Sequence, residues 1–312
     1  MEIVDMAGRR VQLPERILRI HAPQPYTQVL AHMVAPEMLI GHQPILRRAL
    51  DRRWLRPEML DLPDLSAADP ERIRQLKPDI VLLKGNGGSG LDDLLELHAH
   101  LGLPLVCVDL DEIDAYPAAL EFLGGLVGKG ERGRQLADHA RQVLARVDQV
   151  VARVPLAERL RVYYAESADG LSTECDESFH ADAFKRAGGV IVHRGRPSQH
   201  MGMERVTLEQ VLAYDPDVIV SADPSFARMA REDSRWQQLR AVFQGRVWSI
   251  PHSPYNWLDR PPSVMRIAGM QWLAGRFYPG AYRTDLGAEL KLFHQQFLGV
   301  TPEADELSAW LQ

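Results

Sequence analysis

The segment Pro251-His252-Ser253-Pro254-Tyr255-Asn256-Trp257-Leu258-Asp259-Arg260-Pro261-Pro262-Ser263 holds the densest set of side chains suited to gripping a small molecule. Its prolines stiffen the backbone, Tyr255 and Trp257 are expected to stack on a flat ligand, and Arg260 can hold a carboxylate or oxoanion in its fork. A structural role stands beside each: a core aromatic, or an Arg260 paired with Asp259 or Glu166. Further candidates follow predicted strands. The first half offers His21, Gln24, Tyr26, His42, Lys84, Asn86 and Asp109; the second offers Glu166, Asp169, Asp223 and His252. For direct metal contact Cys175, His180, His193, His200 and His252 are considered, with His180 preferred because it follows the acidic stretch 174–177; Cys175 to His180 is not a zinc spacing. Gly85-Asn86-Gly87-Gly88-Ser89-Gly90 matches G-x-G-x-x-G after a predicted strand, with Asp109 beyond it, which leaves a dinucleotide site open. Against that, the strand is not the first of its sheet, and no catalytic acid/base accompanies the loop.

These residues need a scaffold that brings loops together. Short apolar runs alternate with helical patterns in the first half, with strands expected at 17–21, 38–41, 79–83 and 103–108 and helices at 26–34, 69–77 and 91–101. The second half repeats the scheme, with strands at 160–165, 190–193, 217–221 and 247–250. Such alternation indicates βαβ units and parallel sheets, whose ligands bind at the carboxyl ends of the strands. Between the halves, residues 131–154 carry apolar positions stepping by three, four or one, a helix of roughly 35 Å that stops before Pro155. The fold class is therefore α/β: two Rossmann-like lobes with mainly parallel central sheets joined by one long α-helix. Boundaries are expected at 1–128, 129–155 and 156–312.

A chain of 312 residues with 46% hydrophobic and 25% charged residues suits two soluble domains, and a net charge of −6 argues against a nucleic-acid surface. No apolar run is long enough to span a bilayer. The opening Met1-Glu2-Ile3-Val4-Asp5 lacks a signal sequence and taken literally says cytoplasmic, although a mature exported protein given a start methionine looks the same. Two cysteines, Cys107 in an apolar run and Cys175 in a polar one, imply no disulfide framework.

Residues 71–81 resemble residues 209–219: a glutamate, a helical turn or two, then Pro-Asp and a strand, at a constant offset that pairs Glu71 with Glu209. The opening residues 5–20, both of these segments and Phe184-Lys185-Arg186-Ala187-Gly188-Gly189-Val190 resemble periplasmic binding proteins of the iron-siderophore, haem and cobalamin class, which feed ATP-binding-cassette (ABC) importers. The Trp257 to Ser263 run resembles that of the subgroup taking metal oxoanions and small metal chelates. The resemblance implies a non-enzymatic, monomeric, extracytoplasmic protein whose signal peptide is not in this chain. It also implies no intrinsic cofactor, a ligand containing iron, cobalt, nickel, molybdenum or tungsten, and a membrane permease partner met by Glu71 and Glu209. The ligand-binding set expected on this reading is Gln24, Tyr26, Lys84, Asn86, Glu166, His180, Tyr255, Trp257 and Arg260. A nucleotide-dependent oxidoreductase or a chelatase-like enzyme is the alternative.

Overall fold

A computed structural model describes residues 1–47, 52–65, 70–85, 91–99, 101–198 and 202–312. In the first lobe the strands Ile20–His21, Ile80–Lys84 and Leu105–Val108 form a parallel sheet in that order. The second lobe orders Val247–Ser249, Val218–Ser221, Arg161–Ala165 and Val190–Ile191, again parallel. The inner strands are continuous apolar runs because both faces of each sheet are covered: Ile80 to Leu83 and Val218 to Ser221 are wholly buried. An antiparallel hairpin, Glu2–Val4 with Arg10–Gln12, flanks the first sheet through Met6 N donating to Cys107 O. The expected strand at 38–41 does not form. Pro36 opens a 3₁₀ turn, Pro36–Met38, and only Leu39 makes a bridge to Ile20.

The bridging helix is Gly130–Ala152, and its apolar seam from Leu136 to Val150 is buried. It packs on the helix Tyr116–Leu126 on one side and on Arg266–Phe277 on the other. Backbones touch at the first contact: a Cβ at Gly133 would lie 2.7 Å from Leu120 O, so only glycine allows that approach.

The repeat between the halves is a physical equivalence. Asp79 Oδ2 accepts from the backbone N–H groups of Leu18 and Arg19 at 2.7 and 2.9 Å, and Asp217 Oδ2 accepts from Arg161 N at 2.8 Å. Arg19 donates to Leu76 O, and Arg161 donates to Tyr214 O. Lys77 and Asp215, two residues before each aspartate, both take left-handed backbone, φ 47° and 40°. The same helix stop, Pro-Asp clamp and strand start are thus built twice.

One long-range feature departs from two lobes linked only by a helix. The C-terminal segment, made of the helix Leu286–Phe293, a π-turn His294–Leu298 and the helix Ala304–Leu311, reaches back onto the first half. Trp54 packs on His294 and Trp310 at 5.4 and 5.6 Å between ring centroids, and Arg56 Nε donates to Leu298 O. Arg132 caps two carbonyls, Met33 O and Phe297 O, at the ends of segments from both halves. The clasp absorbs Trp257 and the first half absorbs Tyr255, two residues expected to face ligand. Trp257 is 0% exposed among Trp272, His294 and Trp310, with its indole N–H given to Ser253 O. Tyr255 is buried with its hydroxyl on His32 Nδ1 at 2.9 Å. The proline-rich loop folds inward onto the aromatic cluster instead of standing up as a wall, so neither ring is available for stacking.

Replacing Trp257 with Ala should therefore cost about 3–5 kcal/mol in denaturant unfolding; a loss under about 1 kcal/mol would show that the ring is not core. Because helix and clasp together tie the lobes, scattering profiles with and without bound ligand should nearly superimpose. A contraction of several ångströms in radius of gyration would contradict that.

Candidate ligand cleft between the lobes

Loops leaving the carboxyl ends of the two sheets face one another. On the first side Lys84 closes the strand Ile80–Lys84, and its N–H is held by Gln24 Oε1 at 2.6 Å, which makes Gln24 a brace between strand and helix start. Lys84 Nζ is 2.7 Å from Asp111 Oδ1, 5.0 Å from the Tyr26 ring centroid and 5.9 Å from that of Phe179, which belongs to the opposite side. Tyr26 is half-buried; burial raises its hydroxyl pKa and so does the charge of Asp259, while Arg260 and Arg266 oppose. Lys84 thus comes within cation–π reach of the second lobe's Phe179, and Tyr26 feels the charges of that lobe's Asp259 and Arg260. Asn86 and the rest of the glycine-rich loop, 86–90, lie outside the described residues, as does His200.

On the second side the central group is Arg260, left-handed at φ 56°. Its Nε donates to Glu166 Oε1 at 2.8 Å, and its Nη2 donates to Glu174 Oε1 at 2.8 Å while lying 2.7 Å from the same Glu166 oxygen as an ion pair. Both glutamate side chains are buried. Glu166 follows the strand Arg161–Ala165, and Glu174 follows Ser172–Thr173, which pairs antiparallel with Glu204–Arg205. Gly202 lets the chain cross Glu174: it sits at φ 62°, and a Cβ there would be 2.0 Å from Glu174 Oε1. Of the two roles expected for Arg260, an anion contact or pairing with Asp259 or Glu166, the geometry matches the pairing, with Glu174 added as a further partner. Burial pushes the Glu166 carboxyl up to about 8, with Glu174 adding to the shift and Arg260 opposing it.

Beneath Arg260, Asp259 is fully buried and bonds His180 Nδ1 at 2.7 and 2.9 Å through its two oxygens. Arg266 steadies the aspartate at 3.5 Å and ties the loop by donating to Leu258 O and Phe179 O. A neutral imidazole whose Nδ1–H is given to a carboxylate keeps its lone pair on Nε2. Here Nε2 is buried and has no hydrogen-bond partner. The structure thus brings Tyr26, Lys84, Glu166, His180 and Arg260 together and adds four residues that sequence reasoning did not select: Asp111, Glu174, Phe179 and Arg266. Glu174 stood only in the acidic stretch before His180, and Asp259 only as a surface partner of Arg260.

The remaining candidates are spread out. Asp169 pairs with Arg205, Asp223 caps the helix Pro224–Glu232, and His193 bonds Tyr214. His252 bonds Asn256, His42 bonds Gln28 and Met59 O, and Cys175 is a buried free thiol. Among the described residues no three His, Cys, Asp or Glu side chains gather into a cation site. Glu71 and Glu209 are exposed in the first turns of Pro70–Gln75 and Leu208–Tyr214, at equivalent places in the repeat.

This architecture recurs in solved proteins. An ABC transporter solute binding protein from Sulfurospirillum deleyianum is 32% identical, superimposes with a TM-score of 0.92, and is matched over 99% of this chain and 98% of its own. The molybdate-bound MolA of Haemophilus influenzae shares the fold at 21% identity and TM-score 0.78, with 97% of this chain and 99% of that one covered. In sequence, an uncharacterized ABC transporter substrate-binding lipoprotein of Bacillus subtilis is 22% identical over 68% of this chain and 66% of its own length. The vitamin B12-binding protein of Vibrio cholerae is 25% identical over 61% of this chain and 65% of its own length. The chain spans 60–66% of the length of such curated relatives. The sequence model of the periplasmic binding protein family matches residues 48–254, and with two α/β lobes bridged by one helix around a cleft, the chain belongs to that family.

Proposed function

We propose that the protein captures a metal-containing small ligand in the interlobe cleft and hands it to the permease of an ABC importer, without turnover. The single observation that carries the ligand class is His180. A buried ring nitrogen, Nε2, on an imidazole held by a buried carboxylate and left without a partner, suits an electron-poor centre or a donor group on an incoming molecule when the imidazole is neutral. Charge supports a chelate over a bare oxoanion. Arg260 is shared by two glutamates and Lys84 is paired with Asp111, so the cations present are already balanced. An anion would have to displace the partly exposed Lys84–Asp111 pair, or the buried glutamates from Arg260, to gain them. Tyr26 and Phe179, on either side of Lys84, supply flat apolar surface from both lobes. Siderophore-bound iron, a corrinoid and other metal chelates all fit this description. Glu71 and Glu209, one on each lobe, are the docking carboxylates in this reading.

Calorimetric titration with a ferric siderophore, cyanocobalamin, molybdate and NADH tests the assignment. A chelate should bind, and His180→Asn, whose amide can still donate to the buried Asp259, should weaken it tenfold or more, on the order of the loss of one charge-assisted contact, with a smaller loss of melting temperature than His180→Ala, which leaves that carboxylate unpaired. Glu71→Arg or Glu209→Arg should leave that affinity within about threefold while abolishing uptake in reconstituted vesicles, since exposed interface charges act mainly on encounter and orientation. Binding of molybdate alone would overturn the preference for a chelate over a bare oxoanion, and binding of NADH would overturn the metal-ligand reading itself.

A further inference from the structure

The second-lobe wall of the cleft buries more acid than its cations can neutralise. The side chains of Glu166, Glu174 and Asp259 are 1%, 0% and 0% exposed. Facing Glu166 are Arg260, Glu174, Asp259 and the phenols of Tyr163 and Tyr164; Arg266 lies beyond, on Asp259. Glu166 and Glu174 converge on one nitrogen, Arg260 Nη2, through their Oε1 atoms. Each keeps its second oxygen, Oε2, buried and without a hydrogen-bond partner.

Two ionised carboxylates in that position would repel at close range and leave buried lone pairs unmet, an arrangement that proteins relieve by retaining a proton. Glu174 Oε1 already accepts two hydrogen bonds from separate elements, Arg260 and Met203 N. Glu166 sits nearer the further carboxylate of Asp259 and the two phenols, and burial raises it to about 8.

We propose that the Glu166–Glu174 pair holds one proton at neutral pH, so that Glu166 stands in the cleft as an un-ionised acid with a hydrogen-bond donor to offer. This deepens, and rests on, the reading of the cleft as the ligand site. It gives the cleft a second selecting atom beside His180: where His180 Nε2 accepts, Glu166 donates, favouring a ligand with a carbonyl or deprotonated chelating oxygen at that point. It also renders the group of Glu166, Glu174, Asp259, Arg260 and Arg266 electrically balanced, which disfavours a bare dianion.

The proton can be sought without any ligand, on the full chain carrying carbon-13 in its glutamate carboxyls. One resonance should titrate near pH 8. It should vanish in Glu166→Gln and move to lower pH in Glu174→Gln, which removes the like charge. Stability supplies a second readout. A folded-state value raised above 4.5 to about 8 means that the contribution is present below 4.5 and lost as the pH rises through about 8. The melting temperature of the wild type should therefore fall relative to Glu166→Gln over that interval. Glutamates that all titrate in the ordinary carboxylate range, with parallel melting curves, would overturn the proposal. Failure of every chelate to bind would instead sink the functional reading and leave the titration standing.

Discussion

A single helix, Gly130–Ala152, constrains both lobes at once, because its one apolar seam has to satisfy two neighbours. Tyr116–Leu126 approaches so closely that a methyl group at Gly133 would strike the Leu120 carbonyl. Arg266–Phe277 fills the other side, and the first residue of that helix is the Arg266 that holds Leu258, Asp259 and Phe179 in place. Packing on the bridge is thereby joined to the site: the element that seats against the spine also fixes the loop carrying Arg260 and the carboxylate that aims His180. The C-terminal clasp adds a second, non-covalent tie from Trp310 and His294 to Trp54. Large hinge motion would have to break these contacts, and a cleft that changes little must be selective through side chains already in position.

Those side chains are costly to keep. Three buried acids, two arginines and a histidine without a partner at Nε2 sit within one lobe's wall, and none of this is what core packing alone would favour. Arg260 takes a left-handed backbone conformation, which a residue with a Cβ adopts at some expense. Strain and buried charge gathered on the face of a cleft mark it as the place where stability is given up for binding.

Much of the framework was legible because the physics is local. Apolar runs such as 80–83 and 218–220 had to be doubly covered strands, and the seam from Leu136 to Val150 had to be a buried helix face. The repeat was legible because a left-handed stop followed by Pro-Asp is turn chemistry written in a few adjacent residues. Glu166, His180 and Arg260 could be picked as residue types following strands, but their partners could not. Arg260 meets Glu174 across 86 positions and Asp259 meets His180 across 79, separations that carry no periodic signal. Tyr255 and Trp257 misled for a related reason. An aromatic pair in a proline-rich loop has the same sequence whether the loop stands in the cleft or turns onto the core, and what turns it is Trp272, His294 and Trp310, supplied from elsewhere. The strand expected at 38–41 gave way to a 3₁₀ turn begun by Pro36.

The proposed function requires the cleft to take a metal-bearing small molecule. Native mass spectrometry of the protein purified from the cells that make it, with metal analysis of the same sample, tests this most directly. One small molecule per chain with a stoichiometric transition metal is the predicted result; a nucleotide, or a ligand free of metal, would contradict it.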